Sequence, residues 1–340
     1  MCRRRRRRRR KRGGSSTATG SAPTPGCARR DSDAVANGFR ARPGRTPVID
    51  FSPPESPHRV SYDGDFDISR AVTVPPPDAP SEREMRKELK RTVRRISRLQ
   101  RRLHAHRHYA VLLVFQAMDA AGKDSTLRAV MTGVNPAGFR INAFEAPSNE
   151  EARHDFLWRT TRRLPEKGRI GIFNRSYYEE VLIVRVHPEF LDRQKLPRKL
   201  PIMERCQERC ESIRDHELHL ARNGTVIMKF WLNISKAAQA RRFLRRIDRP
   251  DKNWKFSRAD IEERQHWDDY MAAYEDAINA TARPWAPWYA IPADSKPWMR
   301  LLVARLVRDQ LATLDLAHPA LPEDERAELQ EYRAHLTAEL

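Results

Sequence analysis

Cysteine is scarce in this chain, with only Cys2, Cys27, Cys206 and Cys210 among 340 residues. So few thiols do not make a disulfide framework in a protein this long, and they suit a reducing compartment. Cys206 and Cys210 lie one helical turn apart, with His216 and His219 beyond. No second Cys/His pair with finger spacing follows, so structural zinc is not expected. Long apolar runs are missing as well. No segment approaches the ~20 apolar residues of a membrane helix. The basic run near Met1 gives way at Gly13 to Gly, Ser, Thr and Pro, not to the apolar core of a secretory leader. The expected location is the cytoplasm, with no membrane partner. Acid is in short supply: 45 Asp and Glu face 65 Lys and Arg, for a net charge of +20. Arg3 to Arg12 account for half of that excess. A field this positive attracts polyanions without saying which one.

Residues 1–80 are rich in Arg, Pro, Gly, Ser and Asp and end at Pro75-Pro76-Pro77. They are expected to stay disordered, because they carry too little apolar surface to offset the entropy of ordering. The arginine run reads more readily as a solvated tail than as a polyanion tether. Order is expected from Ser81, where Met85, Leu89, Val93, Ile96, Leu99 and Leu103 form one apolar stripe on a very basic helix.

Beyond it, Tyr109–Phe115, Arg169–Phe173, Thr225–Leu232 and Trp288–Ile291 read as short buried strands. Helical patterns at Ser125–Met131, Met203–Arg222 and Arg258–Thr281 lie between them. Alternation of this kind argues for an α/β domain with a mostly parallel sheet. The expected division is a tail over 1–80, a core over 81–316 with a lid at about 236–258, and a helical extension over 317–340.

Three segments carry chemistry. Ala117-Met118-Asp119-Ala120-Ala121-Gly122-Lys123-Asp124-Ser125-Thr126 sits between a predicted strand and a predicted helix, the place of a phosphate-binding loop. There, loop N–H groups and the positive end of the helix would meet phosphate oxygens, with Lys123 against the transferred group. Phosphate contacts are expected from Ala120, Ala121, Gly122, Lys123, Asp124 and Ser125. The match is imperfect, since Ala117 replaces the first glycine and Asp124 follows the lysine where Ser or Thr is usual. Asp119 inside such a loop would repel phosphate unless a cation bridged the two, which implies Mg²⁺.

The second segment, Phe173-Asn174-Arg175-Ser176-Tyr177-Tyr178-Glu179-Glu180, follows a strand, so Arg175 could face the same phosphates. Glu179 or Glu180 could hold the metal or orient an acceptor. In the third, Arg241, Arg242, Arg245 and Arg246 recur before Pro250, followed by Lys252, Trp254 and Lys255. This dense positive face reads as a lid closing charge over a phosphoryl transition state.

Taken together, these segments resemble the family-2 polyphosphate kinases. The likeness runs from about Tyr62 to about Leu314 and includes Asn135-Pro136, Ala146-Pro147, Val184-Arg185-Val186-His187-Pro188, Asn253–Ser257, Trp267-Asp268-Asp269-Tyr270 and Pro287–Asp294. The resemblance implies a three-layer α/β/α P-loop domain with a helical lid. It implies phosphoryl transfer from inorganic polyphosphate to nucleoside mono- or diphosphates with Mg²⁺. By the same resemblance, Asp119 and Lys123 belong to the phosphate and metal site and Arg175 to the Walker B region. Arg242, Arg245 and Arg246 would be the lid arginines, and Lys255 a further phosphate contact. Asn174 stands where many members carry Asp. The Asn-Arg-Ser form resembles the subgroup acting on both AMP and ADP, with Asp119, Asn174 and Glu179 as the metal set. Expected partners are polyphosphate, ADP, AMP and ATP, guanine nucleotides among the further acceptors, and a second copy of the chain. Two rival readings are an ATP-dependent nucleoside monophosphate kinase and a nucleic-acid-binding protein. The second lacks a helix-turn-helix, a zinc finger or an aromatic RNA motif.

Overall fold

Ala110-Val-Leu-Leu-Val-Phe-Gln116 has no charge, no turn former and no polar face, so it must be covered on both sides. In the computed structural model, which describes residues 51–340 apart from the side chain of Lys255, all seven residues are buried and form the central strand β1. Before it runs α1 (Glu82–His106), started by a capping box in which Ser81 and Glu84 satisfy each other's backbone N–H groups. After it come α2 (Lys123–Met131), β2 (Phe139–Ala143), the single turn α3 (Trp158–Thr161), β3 (Ile170–Asn174), α4 (Glu179–Val186) and α5 (Ile202–Arg222). Then follow β4 (Thr225–Asn233), α6 (Lys236–Ile247), α7 (Arg258–Glu263), α8 (Trp267–Thr281), β5 (Trp288–Pro292), α9 (Lys296–Thr313) and α10 (Glu323–Ala338).

The five strands form one parallel sheet in the order β2-β3-β1-β4-β5. α9 packs on α1 and α2 over one face, and α4, α5 and α8 pack together over the other. This is the three-layer α/β/α arrangement expected from the sequence. The order places β1 between β3 and β4, so the chain leaves its carboxyl end at the switch point where α/β proteins bind ligands.

Three features depart from the sequence reading. β2 was not predicted: it is an edge strand with exposed Arg140, Ile141 and Ala143 and a half-buried Asn142, so it lacks the continuous apolar run that marked the other four. The single helix expected over 258–281 is instead α7 and α8, joined by a 3₁₀ turn at Arg264–His266. Arg264 reaches out of that turn to the carbonyl of Lys236 and the side chain of Gln239.

The third departure concerns residues 51–80, which do not continue the irregular tail. Phe51 and Val60 are buried, and Val60 N–H donates to Trp288 while Ala290 N–H donates to His58. Asn279 holds both backbone groups of Phe66, and Asn233 donates to the carbonyls of Ala71 and Val72. The strap is ordered by pairing its backbone with residues some 200 positions away. Local composition carries no trace of that pairing. The expectations for residues 1–50 lie outside the described residues.

Candidate functional site

The bend after β1 is tight. Ala120 takes a left-handed φ of 60° and Gly122 a φ of 102°, the second within easy reach only of glycine. Gly122 is the N-cap of α2, whose first N–H groups have no partner within the helix. Thr126 Oγ1 and Ser125 Oγ both donate to the carbonyl of Gly122 at 3.0 Å, which fixes the turn from below. Lys123 Nζ donates to the carbonyl of Ala117 at 2.7 Å, so the lysine curls over the loop that carries it. The loop therefore forms a cradle that sets the start of α2 beside a cation, an arrangement suited to an anion.

Arg175 comes from the carboxyl end of β3, next to β1. Its φ of 63° is strained for a side chain of this size. The turn aims the guanidinium at the cradle, where it donates to Asp119 at 3.0 Å. Glu179 joins from the first turn of α4. Oriented to satisfy both ends of its amide, Gln116 donates to Glu179 at 2.8 Å and accepts from Ser176. Two cations and two carboxylates thus meet at the ends of two adjacent strands.

Their charges set one another's chemistry. Burial pushes the Asp119 carboxyl upward, but Lys123 and Arg175 outweigh it and leave the group below the usual carboxylate range. Burial raises Glu179, with Arg175 and Lys123 only partly offsetting it. Burial lowers the Lys123 ammonium, and Asp119 opposes that fall. For Arg175 burial works against the charge, but Glu179 and Asp119 hold it firmly protonated.

Asn174 lies beside the cradle, its Nδ2 donating to Asp124 at 2.7 Å while its buried Oδ1 has no partner. Glu180 faces away from the cradle. It pairs with Arg209 at 2.7 Å in a buried cluster, which leaves Glu179 as the glutamate at the site.

The expected lid arginines separate into different roles. Arg242 is buried, and its guanidinium donates to the carbonyls of Ala120, Ala121, Ala293 and Asp294. It is a strut under the phosphate loop, which corrects its expected place on a closing lid. Burial lowers its pKa to about 10. Arg246 pairs with Asp260 at 3.2 Å, and its charge reaches Asp119. Arg245 is exposed and lines a cavity of 430 Å³ with Arg86, Arg242, Lys296 and Arg300, of which Arg242 also lies against Gly122. Lys255 is among the expected phosphate contacts whose side chain lies outside those described.

The sequence reading missed Gln239, which donates to the carbonyl of Asp119 at 3.0 Å and accepts from Arg264. It also missed Lys296 and Arg300. The signal for Lys296 was available, because it opens a helix directly after a parallel strand, where ligands gather.

Lys296 supports a first prediction. Burial, together with Arg242, Arg300, Arg245 and Lys252, depresses its pKa to about 8. Glu82 and Asp294 are the acids lining the same cavity. A bound polyanion should raise that pKa again, so binding should take up protons in mildly alkaline solution. Affinity should then weaken as pH rises through 8. Titration calorimetry in two buffers of different ionisation enthalpy reads the uptake directly, and zero uptake would contradict it.

The sequence model of the family described as polyphosphate kinase 2 matches residues 79–319. The chain is 48% identical over 279 residues to an ADP-polyphosphate phosphotransferase of Rhodopseudomonas palustris, a match covering 82% of this chain and 96% of that one. It is 41% identical over 267 residues to an AMP/ADP-polyphosphate phosphotransferase of Meiothermus ruber, covering 77% and 94%. The crystal structure of polyphosphate kinase 2 from Arthrobacter aurescens superposes with a TM-score of 0.73 at 36% identity, over 84% of this chain and 100% of that one.

Proposed function

Since the chain belongs to the polyphosphate kinase 2 family, we propose that it moves a phosphoryl group from inorganic polyphosphate to ADP and to AMP, reversibly and with Mg²⁺. The observation that carries this reading is the cradle of loop amides where Lys123 and Arg175 converge with Asp119 and Glu179, beside a basic cavity. Phosphoryl transfer needs little covalent help from protein. It needs the donor and acceptor held in line and the charge on the transferred group neutralised. Lys123 and the amides of α2 supply that charge at the transferred group. Arg175 grips a neighbouring phosphate and is held in place by Asp119. Arg242 keeps the loop carbonyls turned away from the anion.

The residues present suit Mg²⁺, which prefers one or two protein oxygens plus waters and substrate phosphates. The Asp119 carboxylate is kept ionised, and the unpartnered Asn174 Oδ1 is an oxygen ligand in waiting. These two would hold the ion, with Glu179 close by. When bound, the ion would neutralise phosphate charge and orient the transferred group.

The acceptor nucleotide belongs on the side of Asp119, Arg175, Glu179, Gln239, Tyr270 and Tyr274, which line one cavity. The donor polymer belongs on the other side, in the cavity of Arg86, Arg242, Arg245, Lys296 and Arg300. The segment 236–258, carrying Arg245 and Arg246, serves as the lid between them. Guanine nucleotides are further acceptors. The chain works in the cytoplasm, in keeping with its few cysteines and with the lack, among the described residues, of any helix long and apolar enough to cross a membrane. It assembles as a homo-oligomer, with α10 as an extension beyond the catalytic core. That helix buries none of its residues and shows Leu329, Tyr332 and Leu336 on one stripe.

The test mixes purified protein, polyphosphate and Mg²⁺ with ADP or AMP, and in parallel ATP with AMP. Polyphosphate-dependent formation of ATP and ADP is expected. No product from polyphosphate, with the fold intact, would sink the reading. Faster transfer from ATP than from polyphosphate would favour a nucleoside monophosphate kinase.

A further inference from the structure

From Leu89 to Met118 the chain contains no Asp or Glu, and eight arginines and lysines of α1 and its exit fall in that stretch. The three acids of α1 are all engaged at its start. Glu82 pairs with Arg86, Glu84 closes the capping box, and Glu88 accepts from Nε and Nη2 of Arg305.

What remains is a one-sided row. Arg91, Arg94, Arg98 and Arg101 follow each other at three- and four-residue spacing, all exposed, and with Ser97 and Gly133 they line a single groove of 510 Å³. Among the described residues, none of the four side chains has an ion-pair or hydrogen-bond partner. Arg83, Lys87 and Lys90 extend the row toward the helix start by the same helical geometry. At that end Arg86 lines the basic cavity it shares with Arg242, Arg245, Lys296 and Arg300. From Arg83 to Arg101 the row spans about 27 Å.

Ordinary solvated helix faces alternate acid and base at this spacing and gain from it. Like charges at the same spacing repel one another. This face carries that repulsion along its length. A linear polyanion laid along it would cancel the repulsion, and the polymer already proposed as donor fits that description.

We propose that the Arg91-Arg94-Arg98-Arg101 face of α1 is a second binding site for inorganic polyphosphate. It holds the distal part of a long chain whose reacting end lies in the cavity at Arg245 and Lys296. The site rests on the donor reading given above and adds to it a dependence on polymer length. Short chains fill only the cavity, whereas long chains also lie on the arginine row.

The experiment replaces all four arginines by alanine, a change that exposed helix positions accept readily, and compares long-chain polyphosphate with the shortest chain the unaltered protein uses. The KM for long chains should rise roughly tenfold or more, each exposed charge pair supplying a modest share. The KM for the short chain and kcat with both should stay unchanged. The dependence of the long-chain KM on salt should become shallower. Unchanged KM for long chains overturns the site, and so does an equal loss with both lengths.

If the unaltered protein uses no polyphosphate at all, the donor reading fails on its own. Anisotropy of end-labelled polyphosphate then tests the row by itself, with weaker binding to the variant expected and equal binding overturning it. Loss of duplex DNA binding with polyphosphate binding unchanged would assign the face to nucleic acid and also overturn the proposal.

Discussion

Replacing Lys123 by alanine should lower kcat about 10²–10³-fold while leaving the melting temperature nearly unchanged. The lysine packs against the loop through one hydrogen bond to the carbonyl of Ala117, so its loss removes little structure. What it removes is a cation at the point where phosphoryl charge would grow during transfer. Two further features sharpen the expectation. Asp119 sits between Lys123 and Arg175, which keep it ionised, so Asp119→Asn should cost a comparable factor while preserving shape. The effect should fall mainly on kcat and not on the nucleotide KM, because the interaction is strongest in the transition state. Steady-state rates at saturating polyphosphate and ADP decide the matter. A Lys123→Ala protein with near-normal kcat would remove the loop from the chemistry.

The second large effect is expected away from the reacting atoms. Behind Arg175, the Tyr177 and Tyr178 hydroxyls both donate to Glu217 at 3.0 Å. Glu217 also accepts from Lys229 at 2.7 Å, and Lys229 donates further to Tyr178 and to the carbonyl of Thr281. Both charged groups are fully buried, and every donor of the ammonium is matched. Burial still depresses the Lys229 pKa to about 8 and raises that of Glu217.

Glu217→Leu strips two tyrosines and a lysine of their acceptor at once. It should cost ~3–5 kcal/mol, the usual penalty for leaving a buried charge unpaired. The melting temperature of a domain this size should then fall by roughly 10 °C. Pairing it with Lys229→Met should restore most of the loss, since a well-packed apolar pair replaces the ions. The same network anchors the segment that holds Arg175 in its strained turn. Glu217→Leu should therefore also lose activity below its own melting range, and calorimetry with an assay at low temperature separates the two. An unchanged melting temperature would contradict the role assigned to the pair.

These two sites differ in how far the sequence exposed them. The cradle was legible because Gly122-Lys123 lies between an apolar strand and a helical pattern, and a parallel sheet brings its carboxyl ends together. Arg175 was legible for the same reason. The Glu217–Lys229 pair was not, since a lysine in Thr225–Asn233 looks like any strand lysine until the sheet buries it. Arg242 was read as part of a positive face, although it points inward to four carbonyls. The spacing of charges on a helix tells which residues share a side, not which side the core takes. The strap over 51–80 stayed hidden for another reason: its order comes from backbone bonds to Asn233, Asn279 and Trp288, and no local pattern encodes those partners. Edge strand β2 escaped notice because its apolar residues alternate with Arg140 and Asn142 and make no continuous run.

The most direct test of the cradle is a crystal structure of the protein soaked with polyphosphate, Mg²⁺ and ADP. The expected result is a phosphate seated on the amides that open α2, within hydrogen-bond distance of both Lys123 Nζ and the Arg175 guanidinium. Phosphates bound only elsewhere, with Lys123 still turned to Ala117 and Arg175 to Asp119, would contradict it.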